Sequence, residues 1–186
     1  SGHKQFHTLS ILIGVLMYLS IVIGGLLSQF GEGLSCLGGI FCLGDGSLPE
    51  SYVDQLSYYH FLITIVMVPL FLWNTAIIFK HFRQYRLIFH SQIMSGLLLL
   101  AQAWLVMGEN SFSAAITPIV HYSLSIFNLL LLSIVAVSSF VSNLELENKL
   151  LVAFNSRFGK LSALVFLNII MVSLSGIIAA NLNSSG

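Results

Sequence analysis

The chain has 186 residues, of which 56% are hydrophobic and only 8% are charged. A soluble domain carries about 25% charged residues because its water-facing surface needs them, so this composition excludes a soluble protein and predicts an integral membrane protein. The formal net charge of +0 gives no indication of an acidic partner, and no nucleic-acid partner is expected.

Five apolar stretches follow one another along the chain, each close to the roughly 20 residues that a membrane-spanning helix needs. They occupy residues 7–28, 56–79, 88–107, 114–142 and 159–182. None shows the period-2 alternation of a barrel strand, and a helix satisfies its own backbone polar groups in hydrocarbon. The sequence therefore predicts an all-α integral membrane protein. A four-helix transmembrane bundle occupies residues 1–143, a linker residues 144–158, and a fifth transmembrane helix lies in residues 159–186.

The basic residues predict the orientation in the membrane. All of them precede the first stretch or lie between the second and third or the fourth and fifth: Lys4, Lys80, Arg83, Arg86, Lys149, Arg157 and Lys160. Because cytoplasmic loops are enriched in Lys and Arg, the N-terminus is expected to be cytoplasmic and the C-terminus extracytoplasmic. The linker is then cytoplasmic, and the membrane is a prokaryotic plasma membrane or an organellar inner membrane.

The loop at residues 29–55 is then extracytoplasmic, and it holds the only two cysteines, Cys36 and Cys42. Disulfides persist on the oxidising side of such membranes, and the glycines between and around the cysteines let a short segment close. A Cys36–Cys42 disulfide is therefore expected, with two unrelated loop thiols as the alternative. A zinc site is not expected, because two cysteines do not complete a tetrahedron.

Two of the six histidines lie a few residues inside predicted helices, His60 in the second and His121 in the fourth. At about 1.5 Å rise per residue, both lie within about two turns of the extracytoplasmic surface. Ionisable side chains inside spanning segments usually face the bundle interior, so this pair is suited to clamp haem, whose iron accepts imidazole ligands. Structural interfacial histidines are the alternative. Asn74, Gln102 and Asn128 are expected to form interhelical hydrogen bonds.

The loop motif resembles that of the haem A synthase family. The family has a Gly-Gly pair, a Gly-Ser-Gly-Leu-Ser-Cys-like stretch, five residues, a second cysteine and a Gly/Pro segment. This chain has Gly24-Gly25, then residues 31–36, then Cys42 and Pro49. The family also places a histidine at the start of its second helix and another near the outer end of its fourth. The resemblance covers residues 7–182 at the level of motifs.

The resemblance implies a fold and a chemistry. The family fold has two four-helix halves, and a weak repeat of residues 9–12 at residues 161–164 makes the fifth stretch resemble the start of the second half. Its activity is the oxidation of a methyl group of haem O to the formyl group of haem A, in cytochrome oxidase biogenesis. By this resemblance, His60 and His121 are the axial ligands of a b- or o-type haem, and Cys36 and Cys42 are a disulfide.

Two positions depart from the family pattern. Ser57 stands where the family has a glutamate implicated in catalysis, and Phe61 stands where it has an arginine after the histidine. Glu50 and Asp54 are the nearest carboxylates upstream and are weak catalytic candidates. The first hypothesis is therefore a haem-binding membrane protein of the haem A synthase type, either an active oxidoreductase or a divergent, catalytically degenerate relative. The alternative is a non-catalytic subunit of a larger membrane redox complex, structural or electron-transferring through haem b. The half-repeat predicts a homodimer or incorporation into such a complex.

Overall fold

The structure is a computed structural model that describes residues 2–29, 51–107 and 116–139, together with the single residues Lys160 and Met171. The predicted linker and nearly all of the predicted fifth helix lie outside the described residues. So do three of the residues singled out in the sequence: Cys36, Cys42 and Glu50.

Four helices make up the described ranges: α1 (Gly2–Gln29), α2 (Tyr52–His81), α3 (Arg86–Met107) and α4 (Ile116–Ser139). All four are long and apolar enough to cross a membrane, and no strand occurs in the ranges that the structure describes. The all-helical membrane fold is thus confirmed for the first four predicted spans. The helices begin or end a few residues away from the predicted bounds, because apolar runs mark the lipid-embedded part of a helix and not its polar ends.

The helices pack as a bundle in which α1 contacts both α2 and α4, α3 packs on α4, and α2 touches α3 more lightly. Consequently α2 and α4 lie across the bundle from each other. The starts of α1 and α3 and the ends of α2 and α4 share one end of the bundle. We call it the basic end, because the turn between α2 and α3 carries exposed Arg83 and Arg86 there.

The apolar core is concentrated toward the basic end. All four helices contribute buried members to it, among them Phe6, Ile13, Ile78, Ile88, Leu132 and Val135. Phe6 and Phe82 stack with ring centroids 4.3 Å apart. Large apolar side chains such as Leu100 and Trp104 are more than 60% exposed and cover the outside of the bundle. A lipid bilayer is the environment that such a surface requires, because it would be unfavourable in water.

Polar side chains also join the helices. Asn74 Nδ2 donates to Ser10 Oγ at 3.3 Å, and Ser125 Oγ donates to Gln102 Oε1 at 3.2 Å. Ser95 Oγ donates to Asn128 Oδ1. The predicted interhelical hydrogen bonds of Asn74, Gln102 and Asn128 are therefore confirmed. Since lipid tails are as apolar as the core, such bonds and close packing drive helix association in a membrane.

A capping interaction begins α2. Ser51 has extended backbone, its Oγ accepts from the Asp54 backbone N–H at 3.1 Å, and its hydroxyl donates to Asp54 Oδ2 at 2.5 Å. Such a cap satisfies a helix N–H that would otherwise lack a partner. It also explains why α2 begins four residues before the apolar run at residue 56.

We expect Ser51→Ala to lower the free energy of unfolding by about 1 kcal/mol, because the cap is lost. The matched control is Ser133→Ala, which removes an exposed hydroxyl that only donates to the Leu129 carbonyl within its own helix. Unfolding by SDS titration in mixed micelles measures both variants. An equal loss of stability in the two would contradict a capping role for Ser51.

Candidate functional site

The structure brings His60 and His121 to the same end of the bundle, opposite the basic end. His60 lies in the third turn of α2 and His121 in the second turn of α4, and both side chains are partly buried. Their helices face each other across the bundle. This is the arrangement of two facing side chains from which bundles build internal cofactor sites.

Two adjacent glycines of α1 allow its neighbours to approach closely at this level. A Cβ atom on Gly24 would lie 3.3 Å from Cε1 and 3.7 Å from Nδ1 of His60. A Cβ atom on Gly25 would lie 3.6 Å from Cε2 of Tyr122, the residue after His121. The imidazole of His60 therefore rests against the α1 backbone at a place where a larger residue would push it away.

Ser20 fixes the His60 ring from the same face of α1. Its Oγ lies 3.3 Å from His60 Nδ1, and it stands one helical turn before Gly24. When Nδ1 carries the proton, it donates to Ser20 and leaves the lone pair of Nε2 for a ligand. Metal-binding histidines commonly use their second nitrogen in this way, which sets the tautomer and the ring orientation. The sequence prediction missed Ser20, and its four-residue spacing from Gly24 was the only available signal.

His121 has a nitrogen without a partner. Its Nδ1 is buried and makes no hydrogen bond within the described part of the chain. Ser125, one turn further along α4, donates to the backbone carbonyl of His121 at 2.9 Å and not to its ring. A buried polar atom without a hydrogen bond lowers the stability of the folded state. We therefore expect this nitrogen to have a ligand or a further hydrogen-bond partner.

The donor set fits haem better than a bare metal ion. The described residues contain no group of three or more His, Cys, Asp or Glu side chains that could hold a metal ion, whereas structural and catalytic zinc sites use three or four protein ligands. Haem iron takes its equatorial ligands from the macrocycle and needs only axial ligands from the protein. Two facing imidazoles, one with an unpartnered buried nitrogen, meet that need.

Of the two catalytic candidates, Glu50 and Asp54, only Asp54 lies within the described residues. Asp54 is exposed at the start of α2 and is engaged by Ser51. It is the only carboxylate in the described ranges. Ser57 is buried one turn before His60, so the position of the family's glutamate does face the interior. Phe61, where the family has arginine, is partly buried.

Comparison of the chain with protein-family models, with curated proteins and with solved structures finds no match. The described residues define a four-helix membrane bundle with a histidine pair at one end. Any functional assignment therefore rests on the geometry of that pair and on the motif resemblance to haem A synthases.

Proposed function

We propose that this chain is a haem-binding membrane protein in which His60 and His121 are the axial ligands of a b- or o-type haem. The observation that carries the proposal is that the two imidazoles lie on facing helices at the same end of the bundle, with His121 Nδ1 buried and without a hydrogen bond among the described residues. Ionisable side chains in spanning helices are costly and are usually functional.

Each neighbouring residue has a role in holding such a site. Ser20 orients the His60 ring through Nδ1, and Gly24 leaves the space in which that ring stands. Ser125 engages the His121 carbonyl and thereby steadies the turn of α4 that carries the second imidazole. A bound haem supplies one-electron redox chemistry, and iron with two imidazole ligands is suited to electron transfer.

The motif resemblance supports a haem A synthase-like role, the oxidation of the haem O methyl group to a formyl group. A specific observation favours a second candidate. Ser57 occupies the interior position of the family's glutamate, and the only carboxylate in the described ranges, Asp54, is exposed and accepts a hydrogen bond from Ser51, the N-cap of α2. A non-catalytic subunit of a larger membrane redox complex, structural or electron-transferring through haem b, needs no such carboxylate.

The proposal includes the finer membrane arrangement. The basic end faces the cytoplasm by the positive-inside rule, and the histidine pair lies near the extracytoplasmic surface. The proposal also includes a Cys36–Cys42 disulfide on the extracytoplasmic side and a fifth span in residues 159–186. It also includes pairing with a second copy or incorporation into a larger membrane complex.

The test is an absorption spectrum of the purified protein, with a pyridine haemochromogen assay to identify the haem. We expect the Soret and α bands of a six-coordinate low-spin haem. A purified chain that shows no haem, even after incubation with haem b and haem O, would refute the proposal. Conversion of haem O to haem A by the isolated chain would favour the synthase role. Stable co-purification with other redox subunits, without that conversion, would favour the second candidate.

A further inference from the structure

The turn between α2 and α3 is anchored to the core at the membrane surface. It lies between two candidate spans, one ending at His81 and the next beginning at Arg86. The Phe82 backbone N–H donates to the Ile78 carbonyl at 2.8 Å, and the Tyr85 backbone N–H donates to the Phe82 carbonyl at 3.0 Å. The Phe82 side chain is 3% exposed and belongs to the apolar core. The turn is therefore fixed in place, with its polar side chains on the outside.

Two arginines of this region are exposed, Arg83 in the turn and Arg86 at the first residue of α3. The only carboxylate in the described ranges, Asp54, lies at the opposite end of the bundle. The two guanidinium groups therefore have no carboxylate partner among the described residues. At the end of a membrane span they lie at the level of lipid headgroups, and a guanidinium group binds phosphate through two parallel hydrogen bonds.

Each arginine stands at the end of a row of apolar side chains. The row on α3 follows Arg86 at intervals of three or four residues and consists of Phe89, Ile93, Leu97 and Leu100. The row on α2 approaches the turn at intervals of four and seven residues and consists of Val68, Leu72 and Phe79. Residues at these spacings share one side of a helix. All three side chains of the α2 row are exposed, as are the last two of the α3 row.

The two rows meet directly below the turn. The rings of Phe79 and Phe89 pack edge to face with centroids 5.0 Å apart. One turn further from the membrane surface, Gln92 Nε2 donates to Thr75 Oγ1 at 2.8 Å. These side chains join α2 to α3, although the two backbones approach each other less closely than those of the other neighbouring helices. We call the outer surface between the two apolar rows, with its two arginines, the α2–α3 seam.

We propose that the α2–α3 seam binds an anionic phospholipid. The lipid phosphate accepts hydrogen bonds from Arg83 and Arg86, and the acyl chains lie along the two apolar rows. Charge complementarity selects this occupant, because Lys and Arg residues next to a spanning helix attract anionic headgroups. An apolar protein segment would cover the rows but would leave both guanidinium groups without an anion. The seam contains neither histidine of the proposed haem site, so lipid binding does not depend on haem.

The experiment is native mass spectrometry of the purified full-length protein, titrated in detergent with phosphatidylglycerol or with phosphatidylcholine of the same acyl chains. We expect the unchanged protein to bind one molecule of phosphatidylglycerol about tenfold more tightly than phosphatidylcholine. The double variant Arg83→Gln/Arg86→Gln should bind phosphatidylglycerol about tenfold more weakly, because two basic side chains near the headgroup are lost.

The double variant Lys4→Gln/Lys80→Gln is the matched control. It removes the same charge from the same end of the bundle, and both lysines are exposed. Lys4 lies on α1, and Lys80 follows Phe79, about 100° around α2 from the seam. This variant should bind phosphatidylglycerol as the unchanged protein does.

Equal binding of the two lipids by the unchanged protein would overturn the proposal without any variant. An equal loss in the lysine variant would overturn it too, because net charge and not the seam would hold the lipid. If a second copy or residues 159–186 covered the seam, the arginine substitutions would leave lipid binding unchanged. Displacement of the lipid by inorganic phosphate alone would indicate a site for free phosphate. Haem absorbance of the same samples keeps the result separate from the haem proposal.

Discussion

Replacing either His60 or His121 by alanine is expected to abolish the six-coordinate low-spin haem spectrum. Each variant removes one axial ligand from a site to which the protein offers only two, so the remaining imidazole holds at most a five-coordinate, high-spin haem. The double variant should bind no haem after purification. Absorption spectra of the three variants, normalised to protein, measure the effect.

His90→Ala is the matched control for these variants. His90 also lies on a membrane helix, but it is exposed near the basic end, and its Nδ1 is 2.6 Å from the Arg86 carbonyl oxygen of its own helix. Its removal should leave the haem spectrum unchanged. Haem absorbance that survives in the double variant would show that the ligands are elsewhere.

Stability distinguishes a ligand from a structural histidine at position 121. If His121 only filled space, His121→Leu would remove a buried nitrogen that has no partner and would leave stability unchanged or raised. A ligand behaves differently, because haem bound only to the folded state adds to its stability by mass action. His121→Leu should then lose haem and, with it, the added stability, whereas in haem-free protein the same change should cost little.

The sequence was sufficient to predict the four described spans, and it singled out the two histidines as candidates. In lipid, an apolar run of about 20 residues can adopt few structures other than a spanning helix. An ionisable residue inside such a run is easy to recognise, because placing it there costs free energy. The same cost argument explains why the interhelical bonds of Asn74, Gln102 and Asn128 were predicted correctly. Each of these features can be predicted from the residues of a single helix.

Features that depend on how two helices face each other were not predictable. The contact of Gly24 with His60 and the hydrogen bond between Ser20 and the same ring both require the rotation and register of α1 against its neighbours. Nothing in a single stretch encodes these, since serine and glycine are common throughout spanning helices. The weak candidate Asp54 lies six residues before His60, and only the structure shows that its carboxylate accepts from Ser51, the N-cap of α2.

Gly24→Leu is expected to weaken haem binding about tenfold, because a side chain at this position crowds the His60 ring. Even a Cβ atom at this position would lie 3.3 Å from His60 Cε1, and the rest of a leucine side chain needs more room. Forcing extra carbon atoms into a packed interior costs about 1–3 kcal/mol, and about 1.4 kcal/mol corresponds to a tenfold change in affinity. The displaced ring also loses its alignment with Ser20. Titration of haem into haem-free protein measures the change.

Gly14→Leu is the control that isolates this effect. Gly14 lies ten residues earlier on the same helix, and a Cβ atom there would meet nothing within 4 Å. Both substitutions replace a helical glycine by a better helix former. Both therefore stabilise the helix by the same amount, about 0.5–1 kcal/mol, because less backbone entropy is lost on folding. Only Gly24→Leu crowds the imidazole. If both variants bound haem as tightly as the unchanged chain, His60 would not be held against α1 when it acts as a ligand. If both lost it equally, the cause would lie in α1 as a whole. A selective loss in Gly24→Leu would show that the glycine pair is part of the histidine site.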